Sequence, residues 1–222
     1  MKTKFLPFEI LYEDAELIVI DKPAGLLTTS TRLSGRAARA SQLTAENLLN
    51  NYVRKGQLKS TRRVWLVHRL DRDTSGVMMF AKNGAIAEAY RSDWNGLTEK
   101  TYLALIEGRL EKESGTFQSY LLEDPRTMKV SSVASGAGGK KAVTQWRRLS
   151  DFRGGTLVEV KLKSGRKNQI RVHFSEAGHP VVGDVKYGAK KAERLFLHSW
   201  KLAFFKPGGN EKFEFETKGT MW

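Results

Sequence analysis

Val67-His68-Arg69-Leu70-Asp71-Arg72-Asp73-Thr74-Ser75-Gly76 lies between two apolar runs, Val64-Trp65-Leu66-Val67 and Val77-Met78-Met79-Phe80. Apolar runs broken by a cluster of Asp, Thr, Ser and Gly predict two strands joined by a polar turn. A turn at a sheet end holds its side chains on a rigid support. This one sets Asp71 between a basic approach (His68, Arg69, Arg72) and the small polar Thr74-Ser75-Gly76. Taken alone, these residue types describe a solvated hairpin turn. The rest of the chain has to decide what Asp71 is for.

Composition narrows what it acts on. The chain has 222 residues, 40% of them hydrophobic, enough for a substantial core in one large domain or two closely packed halves. Thirty-eight Lys and Arg against 24 Asp and Glu leave a net charge of +14, which favours a polyanionic partner. No apolar run approaches the roughly 20 residues that cross a bilayer. The N-terminal residues lack the basic, apolar and small-residue zones of a signal peptide. With no cysteine, disulfides, thiol nucleophiles and cysteine zinc sites are excluded. The expected setting is cytoplasmic and reducing, with nucleic acid at hand.

The charge is unevenly spread. Residues 31–63 carry eight basic side chains (Arg32, Arg36, Arg39, Arg54, Lys55, Lys59, Arg62, Arg63) and one acidic one, Glu46. Residues 31–43 are small, polar and basic, with too little apolar surface to fix themselves, and are expected to form a mobile loop. Folding onto phosphate and remaining a solvated loop are equally compatible with that composition. A short helix should follow, with Thr44 as N-cap, Leu48, Leu49, Tyr52 and Val53 as its apolar face, and Gly56 past its end.

Further on, 16–22 reads as a strand ending at Pro23-Ala24-Gly25, and 83–94 as a helix burying Ile86, Ala89 and Tyr90. Strands are expected at 100–107, 117–122, 142–149, 156–162 and 195–205. Residues 131–141, with Gly136, Gly138 and Gly139, read as a flexible connection, since no phosphate-loop pattern is present. In Ser164-Gly165-Arg166-Lys167-Asn168-Gln169-Ile170-Arg171-Val172-His173-Phe174, continuing to Gly188, the positions Ile170, Phe174 and Ala177 share one helix face. Gly178 and Pro180 end that helix, and Arg171 points off the apolar face. Arg166, Lys167 and Arg171 taken alone are an exposed basic helix start.

Six ordered segments share one resemblance. HRLDRDTSG (68–76) resembles the active-site signature of RluA-type pseudouridine synthases, with Asp71 at the place of the family's catalytic aspartate. SGRKNQIRVHFSEAGHPVVGDVKYG (164–188) resembles the family's GRxHQIRxH…GHPIxGDxxYG region, except that Asn168 stands where the family usually has His. ELIVIDKPAGL resembles its opening strand and turn, with Asp21 for the common Asn. EKTYLALIEG resembles the segment carrying the family's active-site tyrosine, here Tyr102. KKAVTQWRRL and LFLHSWKLAFFKP resemble later core strands, so the likeness runs from about Phe8 to about Phe215.

The resemblance implies an α+β fold across residues 1–222 as a single catalytic domain. It implies a mixed, mainly antiparallel sheet in two packed halves, with a central active-site cleft flanked by helices and loops. The additional N-terminal RNA-binding module of many members is not expected. The implied reaction turns uridine into pseudouridine in ribosomal or transfer RNA, and needs no redox step, cofactor or metal. The catalytic set carried over is Asp71, Tyr102 and Arg171. Asp71 is nucleophile or base at the ribose, Arg171 its ion-pair partner, and Tyr102 the group stacked on the base. Arg69 is expected to fill the vacated space or hold a phosphate. Arg72, Arg62, Arg63, Arg166 and Lys167 are the remaining expected RNA contacts. Asn168 cannot titrate and receives no proton-transfer role. His68, His173, His179 and His198 are scattered and read as core or turn residues. The expected partner is a structured RNA stem-loop, bound by a monomer. Two rival readings are a non-catalytic RNA-binding or RNA-folding protein and a glycoside hydrolase. The second usually needs a paired carboxylate across the bond, and Asp73 is a poor candidate for it.

Overall fold

The computed structural model describes residues 6–30, 42–55, 57, 59–152 and 154–217. The chain divides into two compact units, Met1–Thr98 with Lys201–Gly219, and Glu99–Trp200 with Thr220–Trp222. Each is built on antiparallel strands with helices packed against them, an α+β architecture. The basic loop expected at 31–43 lies outside the described residues except for Gln42 and Leu43.

In the first unit β1 (Glu9–Glu13), β2 (Leu17–Lys22) and β4 (Ser75–Ala81) lie side by side, and the short β3 (Trp65–Leu66) pairs with the end of β4. Every residue of β4 is buried, which is why SGVMMFA reads as a continuous run with no alternation. Leu17, Val19, Val77, Met79 and Ala81 form the core with Ala87 and Tyr90 from a helix, and with Leu202 and Phe204 from near the end of the chain. Thr44 caps α1 (Ala45–Val53) by accepting the Asn47 N–H at 3.0 Å. Its buried face is Ala45, Leu49 and Val53; Leu48 is half-buried, and Tyr52 is exposed, its hydroxyl donating to Glu13. At the helix end Lys55 takes the left-handed conformation at φ 48°, so the chain turns one residue before Gly56, which lies outside the described residues.

The helix expected over 83–94 is two helices, α2 (Gly84–Ser92) and α3 (Trp94–Leu97). The break falls at Asp93, whose carboxylate accepts the Gly96 N–H at 3.1 Å and starts a new helix. An Asp is better used as an N-cap than inside a helix. Ala87 and Tyr90 are its buried residues, while Ile86 and Ala89 are half-buried.

The second unit has the strand order β5 (Thr98–Glu107), β9 (Gly155–Leu162), β8 (Lys140–Phe152), β6 (Ser114–Glu123), β7 (Val130–Val133). α4 (Gln169–Glu176) packs on this sheet through Ile170, Val172, His173 and Phe174. Ala177 is exposed at its C-cap, so it does not extend the buried face. The expected flexible stretch at 131–141 is paired strand at both ends. Ser131, Ser132 and Val133 pair with β6, and the glycines make a tight connection into β8, with Gly136 and Gly138 at φ 88° and 81°. Val130 and Val133, the two ends of β7 and both β-branched, signalled a strand that the nearby glycines obscured. β10 (Leu197–Phe205) carries residues of both units, and its last five pair with β11 (Lys212–Glu216).

Candidate active site

Asp71 opens a tight turn closed by the Thr74 N–H on the Asp71 carbonyl at 3.2 Å. Leu70, Thr74 and Ser75 are buried on either side, while Arg72 and Asp73 stand exposed at the tip and Asp71 is half-buried. The fixing element is a residue whose role the sequence did not disclose. Lys22, at the end of β2, is fully buried, and its ammonium donates to the carbonyls of Pro23 (2.9 Å), Leu26 (2.8 Å) and Arg72 (3.1 Å). A buried ammonium has to be satisfied in this way. Around it the Gly25 N–H donates to the Arg72 carbonyl at 2.9 Å, and Arg72 Nε returns a bond to the Gly25 carbonyl. Thr28 Oγ1 donates to the Leu70 carbonyl at 2.8 Å. The 22–28 turn and the 70–74 turn are thus bolted backbone to backbone around one charge. Gly25, at φ 82°, supplies the left-handed residue the first turn needs.

The histidines are structural, as their scattering suggested. His68 Nε2 accepts the Met79 N–H at 3.0 Å and its ring stacks on Trp94, centroids 4.5 Å apart. His173 lies between the Thr144 and Ser119 hydroxyls, and burial lowers its pKa. His179 Nδ1 meets the Glu107 carbonyl, and His198 is buried.

Tyr102 is buried on β5, on the face shared with Thr98, Lys100 and Ala104. Burial, with the charge of Lys163 adding to it, brings the Lys100 ammonium down to about 8.

Arg171, in the first turn of α4, is held by a set of second-unit residues. Its Nε and Nη2 donate to the two carboxylate oxygens of Asp184 at 2.6 and 2.7 Å, a bidentate pair whose carboxylate is 1% exposed. Nη1 donates to Asn168 Oδ1 at 3.1 Å. The guanidinium lies over the Tyr187 ring, 5.0 Å from its centroid. Asn168 Nδ2 in turn donates to the Tyr187 hydroxyl at 2.9 Å, and that hydroxyl also accepts the Val130 N–H. Asn168 has φ 55°, a left-handed conformation that Asn tolerates better than most residues. It therefore has a structural task, joining guanidinium to phenol, and none that needs titration.

The expected RNA contacts divide by what they already hold. Arg62, Arg63, Arg69, Arg166 and Lys167 are exposed. Arg63 covers the Trp65 ring at 5.1 Å, Arg166 Nε donates to the Lys141 carbonyl, and Lys167 pairs with Glu123. Arg72 has its Nε in the turn-to-turn contact described above. Asp71 belongs to the first unit, and Tyr102 and Arg171 to the second. Lys22 and Thr28, which hold the Asp71 turn, and Asp184 and Tyr187, which hold the Arg171 guanidinium, are residues that sequence reasoning missed. Lys22 and the Asp184 and Tyr187 pair sat inside the quoted motifs, and the one outward signal was Lys22 at the end of an apolar strand.

Residues 16–176 match the model of the RNA pseudouridylate synthase family. The chain belongs to the RNA pseudouridylate synthase family. Its members are isomerases, and the RluA-type likeness of the motifs is consistent with that assignment. Among relatives, the uncharacterized RNA pseudouridine synthase YlyB of Bacillus subtilis is 34% identical over 95% of this chain and 69% of its own length. A Zymomonas mobilis RNA pseudouridine synthase is 36% identical over 87% of this chain and 85% of its own. The ribosomal large subunit pseudouridine synthase D of Borreliella burgdorferi is 34% identical, and the chain spans 61% of that protein. The structure of human RNA pseudouridylate synthase domain containing 1 superposes with a TM-score of 0.73 at 26% identity, covering 96% of this chain and 83% of that one. Among the described residues of this synthase no group of three His, Asp or Glu side chains is placed to hold a metal ion, and no helix is long and apolar enough to cross a membrane.

Proposed function

We propose that this synthase isomerises uridines of ribosomal or transfer RNA, with Asp71, Tyr102 and Arg171 acting on one flipped-out nucleotide. The observation that carries the reading is the anchoring of Asp71 and Arg171. A half-buried aspartate sits on a turn bolted around a buried lysine, and an arginine is gripped at three donors, inside a chain of this family. Neither arrangement is needed by a protein that only coats RNA.

The reaction breaks the bond between ribose C1′ and base N1, forms one between C1′ and C5, and moves the C5 proton to N1. Atoms and electrons balance with no external group. The Asp71 carboxylate attacks C1′ or takes a proton from the ribose while the base is detached. Burial alone would push a carboxylate towards its neutral form, and a guanidinium opposes that. Arg171 is the residue proposed to supply that guanidinium. Tyr102 stacks on the detached base and handles the C5 proton. Extruding the nucleotide costs a few kcal/mol, least in a loop where the base is already unstacked. Arg69 occupies the space it leaves or holds a flanking phosphate.

The test maps pseudouridine in total RNA from cells with and without the gene, then restores either wild type or Asp71→Asn. A ribosomal or transfer RNA site should vanish on deletion and return with wild type alone. A site restored by Asp71→Asn would remove Asp71 from the chemistry, and no lost site would remove the reading.

A further inference from the structure

We propose that the Asp124–Lys129 hairpin tip and the Val185–Tyr187 turn form an RNA-docking patch, in which Lys129 and Lys186 hold backbone phosphates and Met128 and Val185 meet sugar and base. The inference rests on RNA being the substrate, and concerns how the strand beside the reacting uridine is gripped.

The two segments are distant in sequence and are built into one surface. Lys186 Nζ donates to the Met128 carbonyl at 2.6 Å, and the Val130 N–H donates to the Tyr187 hydroxyl at 3.1 Å. The Lys129 and Lys186 ammoniums lie 5.6 and 5.9 Å from the centroid of the same Tyr187 ring that Arg171 covers. Three cations around one ring repel each other, and Asp184 is bonded to Arg171. Of the other acids nearby, Glu123 pairs with Lys167, Glu176 accepts from Ser132, and Asp124 is turned into its own loop. Its carboxylate accepts the Arg126 and Thr127 N–H groups, which hold its pKa down. An excess of exposed positive charge is what a phosphate backbone complements.

The apolar half of the patch is equally specific. Met128 is 51% exposed and Val185 62% exposed, two large apolar side chains facing water beside the lysines. Met128 also holds φ 54°, an unfavourable conformation for a non-glycine residue, fixed by the Met128 N–H on the Asp124 carbonyl at 2.8 Å. The loop therefore presents this side chain instead of letting it collapse. Because Tyr187 touches both the lysines and Arg171, RNA on the patch is led directly to the arginine.

The test compares the full chain with Lys129→Ala/Lys186→Ala, using a fluorescein-labelled RNA stem-loop as probe and KCl as the variable. The slope of log Kd against log salt should fall by about 1.4 to 1.8, the contribution of two phosphates. Lys129→Arg/Lys186→Arg should keep the wild-type slope, and Met128→Ala should weaken binding several-fold without changing it. In turnover on total RNA the double alanine loss should sit in KM and be relieved by more RNA. An unchanged slope, or a loss confined to kcat, overturns the patch. Asp71→Asn separates the two proposals, because it should abolish turnover while keeping both Kd and slope.

Discussion

The Asp71 turn and the Arg171 seat do the same job by opposite means. In the first unit a side-chain charge, Lys22, is satisfied by backbone carbonyls, so turn geometry is written into the main chain. In the second unit a charge is satisfied by other side chains: a carboxylate, an amide and a phenol ring. The first arrangement tolerates change at the exposed tip and fails when its one lysine goes. The second can be taken apart bond by bond, and so its contributions can be ranked.

The largest effect should come from Asp184→Ala. It leaves a mostly buried guanidinium uncompensated, which typically lowers stability by about 3–5 kcal/mol. Urea unfolding should show a lower midpoint, with turnover falling further than in Tyr187→Phe. Lys22→Met comes next. It strands carbonyls that had a donor, at about 1–3 kcal/mol for a buried polar group left unmade, and it frees the turn that carries Asp71. The expected signature is a kcat drop with little change in RNA affinity. If Lys22→Met turned over normally in a folded protein, the backbone bolt would not position Asp71. Tyr187→Phe keeps the ring and removes only the hydroxyl bonds to Asn168 and Val130, so about 1–2 kcal/mol is expected, measured the same way.

The smallest effect tests a residue that belongs to neither arrangement. Burial acts to raise the Asp14 carboxyl, but the Lys206 ammonium, the Leu17 and Glu16 N–H groups and the Tyr12 hydroxyl together hold it at about 2. A carboxyl depressed below its ordinary value of 3.8 contributes stability that is fully present above that pH. It is lost as pH falls towards 2. Acid titration of the unfolding midpoint should be shallower in Asp14→Asn across that window, and only modestly so, because the site is partly solvated. Identical titrations would show that Asp14 does not couple to folding.

What the sequence disclosed follows from the range over which each signal acts. Strands β2, β4, β5, β6, β8 and β9 were legible because period-two and all-apolar patterns are local. So was the Thr44 cap. The split at Asp93 and the early turn at Lys55 were not legible, because each depends on one backbone conformation that several residue types can adopt. At the candidate site, the family resemblance singled out Asp71, Tyr102 and Arg171 as residues. It did not disclose that Lys22 faces inward, since a lysine after an apolar strand is usually solvated. Nor did it disclose that Asp184, thirteen residues beyond Arg171, returns to bind it. Such partners are chosen by the fold, and only the fold displays them.

β10 has a consequence for how the molecule is made. The core of the first unit needs Leu202 and Phe204, with Phe213 and Phe215 packed against it, all supplied after residues 99–200 of the second unit have been threaded. On the ribosome, where chains emerge from the N-terminus at about 5–20 residues per second, the unit that starts first is the last to close. For several seconds β2 and β4 exist without their final neighbours, while the contiguous 99–200 segment can already complete its sheet. The time during which nascent chains are most exposed to misassembly is therefore set by the passage of the second unit.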